Sequence, residues 1–158
     1  MSGFYFQKRQ TEAALCGLDT TLHPAPGLPL DQASVLGFPD KSIHLYENIL
    51  DIDAGNVFMM NNLAYVLAVQ GKELSRAKEL ALKAVAVEPE NASYLDTLGW
   101  VLFKLSEYDN ARDNLEKAAG IDTHQPEILD HLAQVYEKLG NPQKAQEMKI
   151  KMNKLQKK

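Results

Sequence analysis

The chain has 158 residues, 45% hydrophobic and 24% charged, with 9 Gly, 7 Pro and 1 Cys. That is the make-up of one ordinary globular domain and excludes a disordered, collagen-like or disulfide-stapled chain. A formal net charge of -4 speaks against general nucleic-acid binding, which needs excess Lys and Arg on the phosphates, and no run of 18 apolar residues predicts a membrane span.

The first ten residues read MSGFYFQKRQ. The basic pair Lys8-Arg9 follows the aromatic trio, and no long apolar run comes after it. A secretory signal needs the reverse order and that run, so a cytoplasmic location is expected. The lone Cys16 leaves no intrachain disulfide and no thiolate cluster for zinc. Pro24, Pro26, Gly27 and Pro29 interrupt any helix before Leu30, because an interior proline removes a hydrogen bond and clashes with the preceding turn. Residues 1–38 are therefore expected to be irregular, with at most short helices.

From residue 39 the apolar spacing becomes helical. A helix is expected over 39–53, burying Ile43, Tyr46, Ile49, Leu50 and Ile52. Further helices are expected at 56–70, 73–87, 91–104, 107–121, 125–139 and 141–156, together forming one domain over 39–158. Leu95, Leu98, Val101, Leu102 and Leu105 recur at steps of three and four. So do Tyr108, Ala111, Leu115, Ala118 and Ala119 in the next segment. Pro89 and Pro126 stand at junctions, where proline suits a first turn. Asn91, and Asp122 or Thr123, offer capping oxygens there. Charge divides along the chain. Residues 92–140 carry 4 basic against 9 acidic groups, and residues 141–158 carry 6 against 1.

The segments repeat. At an offset of 34, Leu95 falls on Leu129, Leu98 on Leu132, Gly99 on Ala133, Leu102 on Tyr136, Ser106 on Gly140 and Ala111 on Ala145. At 35, Leu63-Ala64 falls on Leu98-Gly99 and Leu67 on Leu102. The extra residue lies in the turn after Gly71. Small residues at Ala64, Gly99 and Ala133, and at Ala77, Ala111 and Ala145, let helix axes approach closely. This pattern resembles the tetratricopeptide repeat family, in its bacterial form. Met60, Leu63, Ala64, Leu67, Gly71, Ala77, Ala81, Ala84 and Pro89 match its second unit, and Leu95 to Ala118 its third. Leu129 to Ala145 match a fourth, which departs at Lys149 and Met152. The resemblance implies an all-α, right-handed α-solenoid of stacked antiparallel helix pairs, with about three full repeats and a degenerate N-terminal half repeat.

Catalytic chemistry finds no footing. His23, His44, His124 and His131 show no metal-ligand spacing. Asp51-Ile52-Asp53-Ala54-Gly55 begins like a calcium loop but lacks the ligands at its fifth and twelfth places. No glycine-rich phosphate loop is present. We expect no enzyme activity, no cofactor and no metal.

In the family, the first helix of each pair lines a concave groove. Carried over by register, the groove residues are Phe58, Asn61, Asn62, Tyr65 and Val69 of the second unit, Asp96, Trp100, Phe103 and Lys104 of the third, and His131 and Gln134 of the fourth. Trp100 serves there either as packing between first helices or as an anchor for a ligand side chain. The resemblance implies a protein-interaction scaffold or adaptor that holds a partner polypeptide in this aromatic groove. The alternative is a structural subunit of a homo- or hetero-oligomer, joined through the N-terminal segment and the half repeat. A protein or peptide partner, or a second copy, is expected, and no nucleic acid. The basic last helix offers a weaker peripheral contact with an acidic surface.

Overall fold

The computed structural model describes residues 39–156, with side chains from Ser42 onward. The expectations for residues 1–38, among them Cys16, His23 and the aromatic trio, lie outside the described residues. Seven α-helices and no strand occur among those described: α1 (Pro39–Ile52), α2 (Val57–Gln70), α3 (Leu74–Val87), α4 (Ala92–Lys104), α5 (Tyr108–Ile121), α6 (Pro126–Lys138) and α7 (Pro142–Gln156). Each of α2/α3, α4/α5 and α6/α7 packs as a hairpin, α2, α4 and α6 pack in sequence as a layer of first helices, and α1 packs on α2. Among the described residues the architecture is an all-α solenoid of three stacked hairpins preceded by α1, half a repeat.

One turn geometry recurs inside the hairpins. Gly71, Ser106 and Gly140 have φ of 66°, 64° and 71°. The next residue in each closes back onto the helix: Lys72 N donates to Leu67 O, Glu107 N to Leu102 O and Asn141 N to Tyr136 O, at 2.9–3.0 Å. This left-handed termination satisfies carbonyls that the helix end leaves open. Ser106 adopts it against the steric preference of its Cβ. The extra residue after Gly71 is accommodated at Glu73, which also has positive φ, 45°.

A second device joins one repeat to the next. Asp53 accepts from Asn56 Nδ2 at 3.2 Å, Glu88 from Asn91 Nδ2 at 2.9 Å and Asp122 from Gln125 Nε2 at 2.9 Å. The acid just past one helix thus holds the amide just before the following helix, three times over. Asn56 and Asn91 then cap α2 and α4 through Oδ1, accepting from Met59 N and from Ser93 N and Tyr94 N. At the third junction the expected cap from Asp122 or Thr123 is not formed. Gln125 stands before α6 without a side-chain cap, and Asp122 instead folds the turn by accepting from His124 N. Pro126 opens α6, where its missing N–H costs nothing.

The core is a column of repeated positions. Leu63, Leu67, Leu95, Leu115, Ile128 and Val135 are fully buried, each burial worth roughly 1.5–3 kcal/mol. Ala64 and Ala133 are closed off as well. At the matching Gly99 an added Cβ would lie 2.5 Å from Leu115 Cγ and 3.2 Å from the Ala111 carbonyl oxygen. The glycine is therefore the space that the large Leu115 occupies. In the second repeat the corresponding pair is Ala64 and Ala81, small against small. On α1, Tyr46 is buried and Ile43, Ile49 and Leu50 are half-buried, but Ile52 is 71% exposed. Its place on the expected buried face is corrected: it is the last helical residue and faces solvent.

Ion pairs tie the second helices to their neighbours. Arg76 donates to Glu47 at 2.7 Å and Lys78 to Glu107 at 2.7 Å. The bond to Glu47 raises the Arg76 pKa, and that from Lys78 lowers that of Glu107. On the α6 side, the Tyr136 hydroxyl donates to Glu116. Burial first, and the adjoining carboxylate second, push its phenol pKa well up.

Candidate partner-binding groove

The layer of α2, α4 and α6 carries every groove residue expected from the sequence. Trp100 lies near the centre, only 8% exposed. Its indole stacks on Phe103 one turn along α4 (centroids 5.0 Å, planes 9° apart). It also stacks on His131 of α6 (4.2 Å, 20°). Lys104 Nζ sits 4.6 Å from the same ring, a cation held against a π face. His131 Nδ1 donates to Asp96 Oδ1 at 2.8 Å, with both side chains largely buried. Asp96, Trp100, Phe103, Lys104 and His131 thus form one connected cluster across two repeats. Gln134 stands one turn on from it and donates to Asp130 at 2.8 Å.

The α2 part of the layer is built differently. Phe58 and Val69 are exposed, and Tyr65 is half-buried. Asn61 and Asn62 are buried, yet Asn61 Oδ1 and Asn62 Nδ2 have no hydrogen-bond partner among the described residues. Trp100 Nε1 is likewise buried and unpartnered. Such atoms are rare in folded proteins, because each forfeits the hydrogen bonds it made to water. With Gln70 Nε2 at the end of α2, they amount to one acceptor and three donors.

The sequence pattern missed the Asp96–His131 bond. Its signal was present: the two residues hold the fifth and sixth places of adjacent repeats. Among the described residues no group of three or more His, Cys, Asp or Glu side chains is placed to hold a metal ion. No helix among them is long and apolar enough to cross a membrane.

Comparison with known proteins follows the same register. The model of the tetratricopeptide repeat matches residues 92–125, which is the α4/α5 hairpin with its junctions. A TPR repeat-containing protein of Pseudomonas aeruginosa is 32% identical over 63 residues, 40% of this chain and 11% of that relative. The crystal structure of MamA superposes with a TM-score of 0.63 at 25% identity, covering 81% of this chain and 75% of MamA. Residues 92–125 match the tetratricopeptide repeat, and the fold is that of a tetratricopeptide-repeat solenoid. A second MamA structure, from AMB-1, gives 0.62 at 27% identity over 81% of this chain and 76% of its own. MamA from Desulfovibrio magneticus RS-1 gives 0.67 at 17% identity, over 80% and 72%, a likeness of fold. The matched stretch is a small part of the Pseudomonas protein, and these similar proteins fit the bacterial style of the repeats.

Proposed function

We propose that this chain is a tetratricopeptide repeat protein, a non-enzymatic adaptor that holds an extended partner polypeptide along α2, α4 and α6. The observation that carries the reading is the set of buried, unpartnered polar atoms on Asn61, Asn62 and Trp100. A peptide backbone offers an N–H and a C=O at every residue, so it supplies the donor that Asn61 Oδ1 lacks and an acceptor for Asn62 Nδ2 and Trp100 Nε1. Exposed Phe58 and Val69 flank these atoms and give an apolar side chain somewhere to sit. Lys104 and the Asp96–His131 pair set the polar end of the groove. Trp100, stacked on both sides, holds the groove's shape and offers an N–H edge. It is a poorer target for a binding mutation than Phe58, because its loss also opens the core.

The test is site-specific photo-crosslinking in native extract. A photoreactive phenylalanine at Phe58 or Val69 is expected to give a discrete adduct. The same group at Leu82, exposed on a second helix, is expected to give none. Adducts at Leu82 with none at Phe58 and Val69 would place the binding face on the other layer and overturn the reading.

A further inference from the structure

The three first helices end on one register place. Val69, Lys104 and Lys138 stand in the last turns of α2, α4 and α6, at spacings of 35 and 34. Val69 and Lys138 are exposed, and Lys104 is half-buried against the Trp100 ring. A basic residue in a last turn suits the helix dipole, but it is not general in this chain. The last turns of α1, α2, α3 and α5 have none, and besides α4 and α6 only α7 among the described helices has one, Lys154. This edge of the first-helix layer therefore offers an aliphatic side chain and then two cations, one per repeat.

The two cations are left over within the protein. The acids at this edge are already bonded: Glu73 accepts from Arg76 at 3.1 Å, Glu107 from Lys78 at 2.7 Å, Asp109 from Arg112 at 2.9 Å and Glu137 from Lys149 at 2.6 Å. Among the described residues no carboxylate lies within 4.0 Å of Lys104 or Lys138. Asp96 and Asp130, on the same helices, each stand eight residues before their lysine, about 12 Å along the axis. They are engaged by His131 and Gln134, and they lie beyond the Debye length of about 8 Å at physiological salt. Glu127 lies further back still. The buried, unpartnered atoms toward the same ends of α2 and α4, Gln70 Nε2 and Trp100 Nε1, are donors as well. Donors and cations thus gather here with no acceptor left to meet them.

We propose that the partner polypeptide is acidic along this edge: an extended segment with an apolar side chain on Val69 and carboxylates, at the third and sixth places from it, on Lys104 and Lys138. This rests on the groove reading above and adds the partner's chemistry to it. The repeats set the spacing. Packed helices lie about 8–10 Å apart, and α2, α4 and α6 pack in that order. A chain in the polyproline II form advances about 3.1 Å per residue and returns to the same side every third residue, about 9 Å on. One partner residue in three therefore meets one repeat. A basic segment would meet two like charges here, and a neutral one would leave both ammonium groups unpaired.

Isothermal titration calorimetry on the full chain tests it with three peptides: Leu-Ser-Ala-Glu-Ser-Ala-Glu, its counterpart with Gln for Glu, and its counterpart with Lys for Glu. All are acetylated and amidated, so that no terminal charge intrudes. At about 50 mM salt the Glu peptide is expected to bind about fivefold tighter than the Gln peptide, as two exposed ion pairs contribute, and the Lys peptide more weakly than either. The differences are expected to shrink in about 0.5 M salt. Lys104→Glu with Lys138→Glu is expected to invert the order, so that the Lys peptide binds tightest, while the thermal melt confirms that the fold is kept. Lys138→Glu alone leaves the Lys104–Trp100 contact intact and is expected to lose part of the preference for Glu. Gln or Lys peptides that bind the unaltered chain as tightly as the Glu peptide overturn the proposal, and so does a preference for Glu that survives the double reversal. Binding of none of the three overturns it too, and the photo-adducts at Phe58 and Val69 then show separately whether the groove holds a partner of other chemistry.

Discussion

The two halves of the first-helix layer fill the same register positions in opposite ways. Between α4 and α6, the fifth and sixth places are Asp96 and His131, which bond to each other beneath a stacked Trp100. On α2 the fifth and sixth places are Asn61 and Asn62, buried with an acceptor and a donor left over. The first half pairs Asp96 with His131 under stacked rings, although the Trp100 Nε1 beside them is unpartnered. The second keeps its polar groups unpaired and surrounds them with exposed Phe58 and Val69. On the same backbone frame, side chains at these places are thus bonded to each other in one region and left unpartnered in the other.

The largest expected effect lies in the half around Trp100. Trp100→Ala removes a stacked, buried indole and should cost about 3–5 kcal/mol in denaturant unfolding. Phe58→Ala, in the α2 half, should stay within about 1 kcal/mol. Equal losses would erase the contrast between the two regions. Next, Asp96→Ala strands the His131 Nδ1–H and should cost about 1–3 kcal/mol. A cost near zero would mean that the bond does not support that half.

A smaller effect is expected where the hairpin turns differ. Ser106→Gly relieves a left-handed backbone that Gly71 and Gly140 adopt freely, and should raise stability by about 1 kcal/mol. A loss on that substitution would show that the serine side chain supports the turn. The smallest effect concerns pH. Tyr136 has its pKa raised above the usual 10, through burial and the Glu116 carboxylate. The neutral phenol is the favoured form in the folded chain, so its contribution is complete below pH 10 and is lost only as pH rises through the raised value. Ultraviolet titration of the six tyrosines should show Tyr136 ionising late, with Glu116→Gln moving it earlier. Ionisation near pH 10 would refute the assignment.

Much of the frame was legible in the sequence. The small residues Ala64, Gly99 and Ala133, and the turn at Gly71, Ser106 and Gly140, identify the repeat because close helix packing and a left-handed turn tolerate few other side chains. The junction pairs Asp53–Asn56, Glu88–Asn91 and Asp122–Gln125 were not. They are short-range hydrogen bonds among residues that sequence alone reads as loop, and Asp53 resembled the start of a failed calcium loop. Ile52 was misjudged because helical spacing predicts a face but not which of its residues are covered. The Asp96–His131 bond depends on the distance between two first helices, which packing sets and periodicity does not. That Asn61 and Asn62 keep unpartnered atoms depends equally on what does not approach them.

Those two asparagines give the most direct measurement. Asn61→Leu with Asn62→Leu removes buried polar atoms that lack partners, and replacing them with apolar groups of similar size is close to neutral or stabilising for the fold. The expected result is a melting temperature equal to or above that of the unaltered chain, together with loss of the adduct formed from a photoreactive group at Phe58. A lowered melting temperature with the adduct intact would contradict the account, because the asparagines would then serve the fold and not the partner.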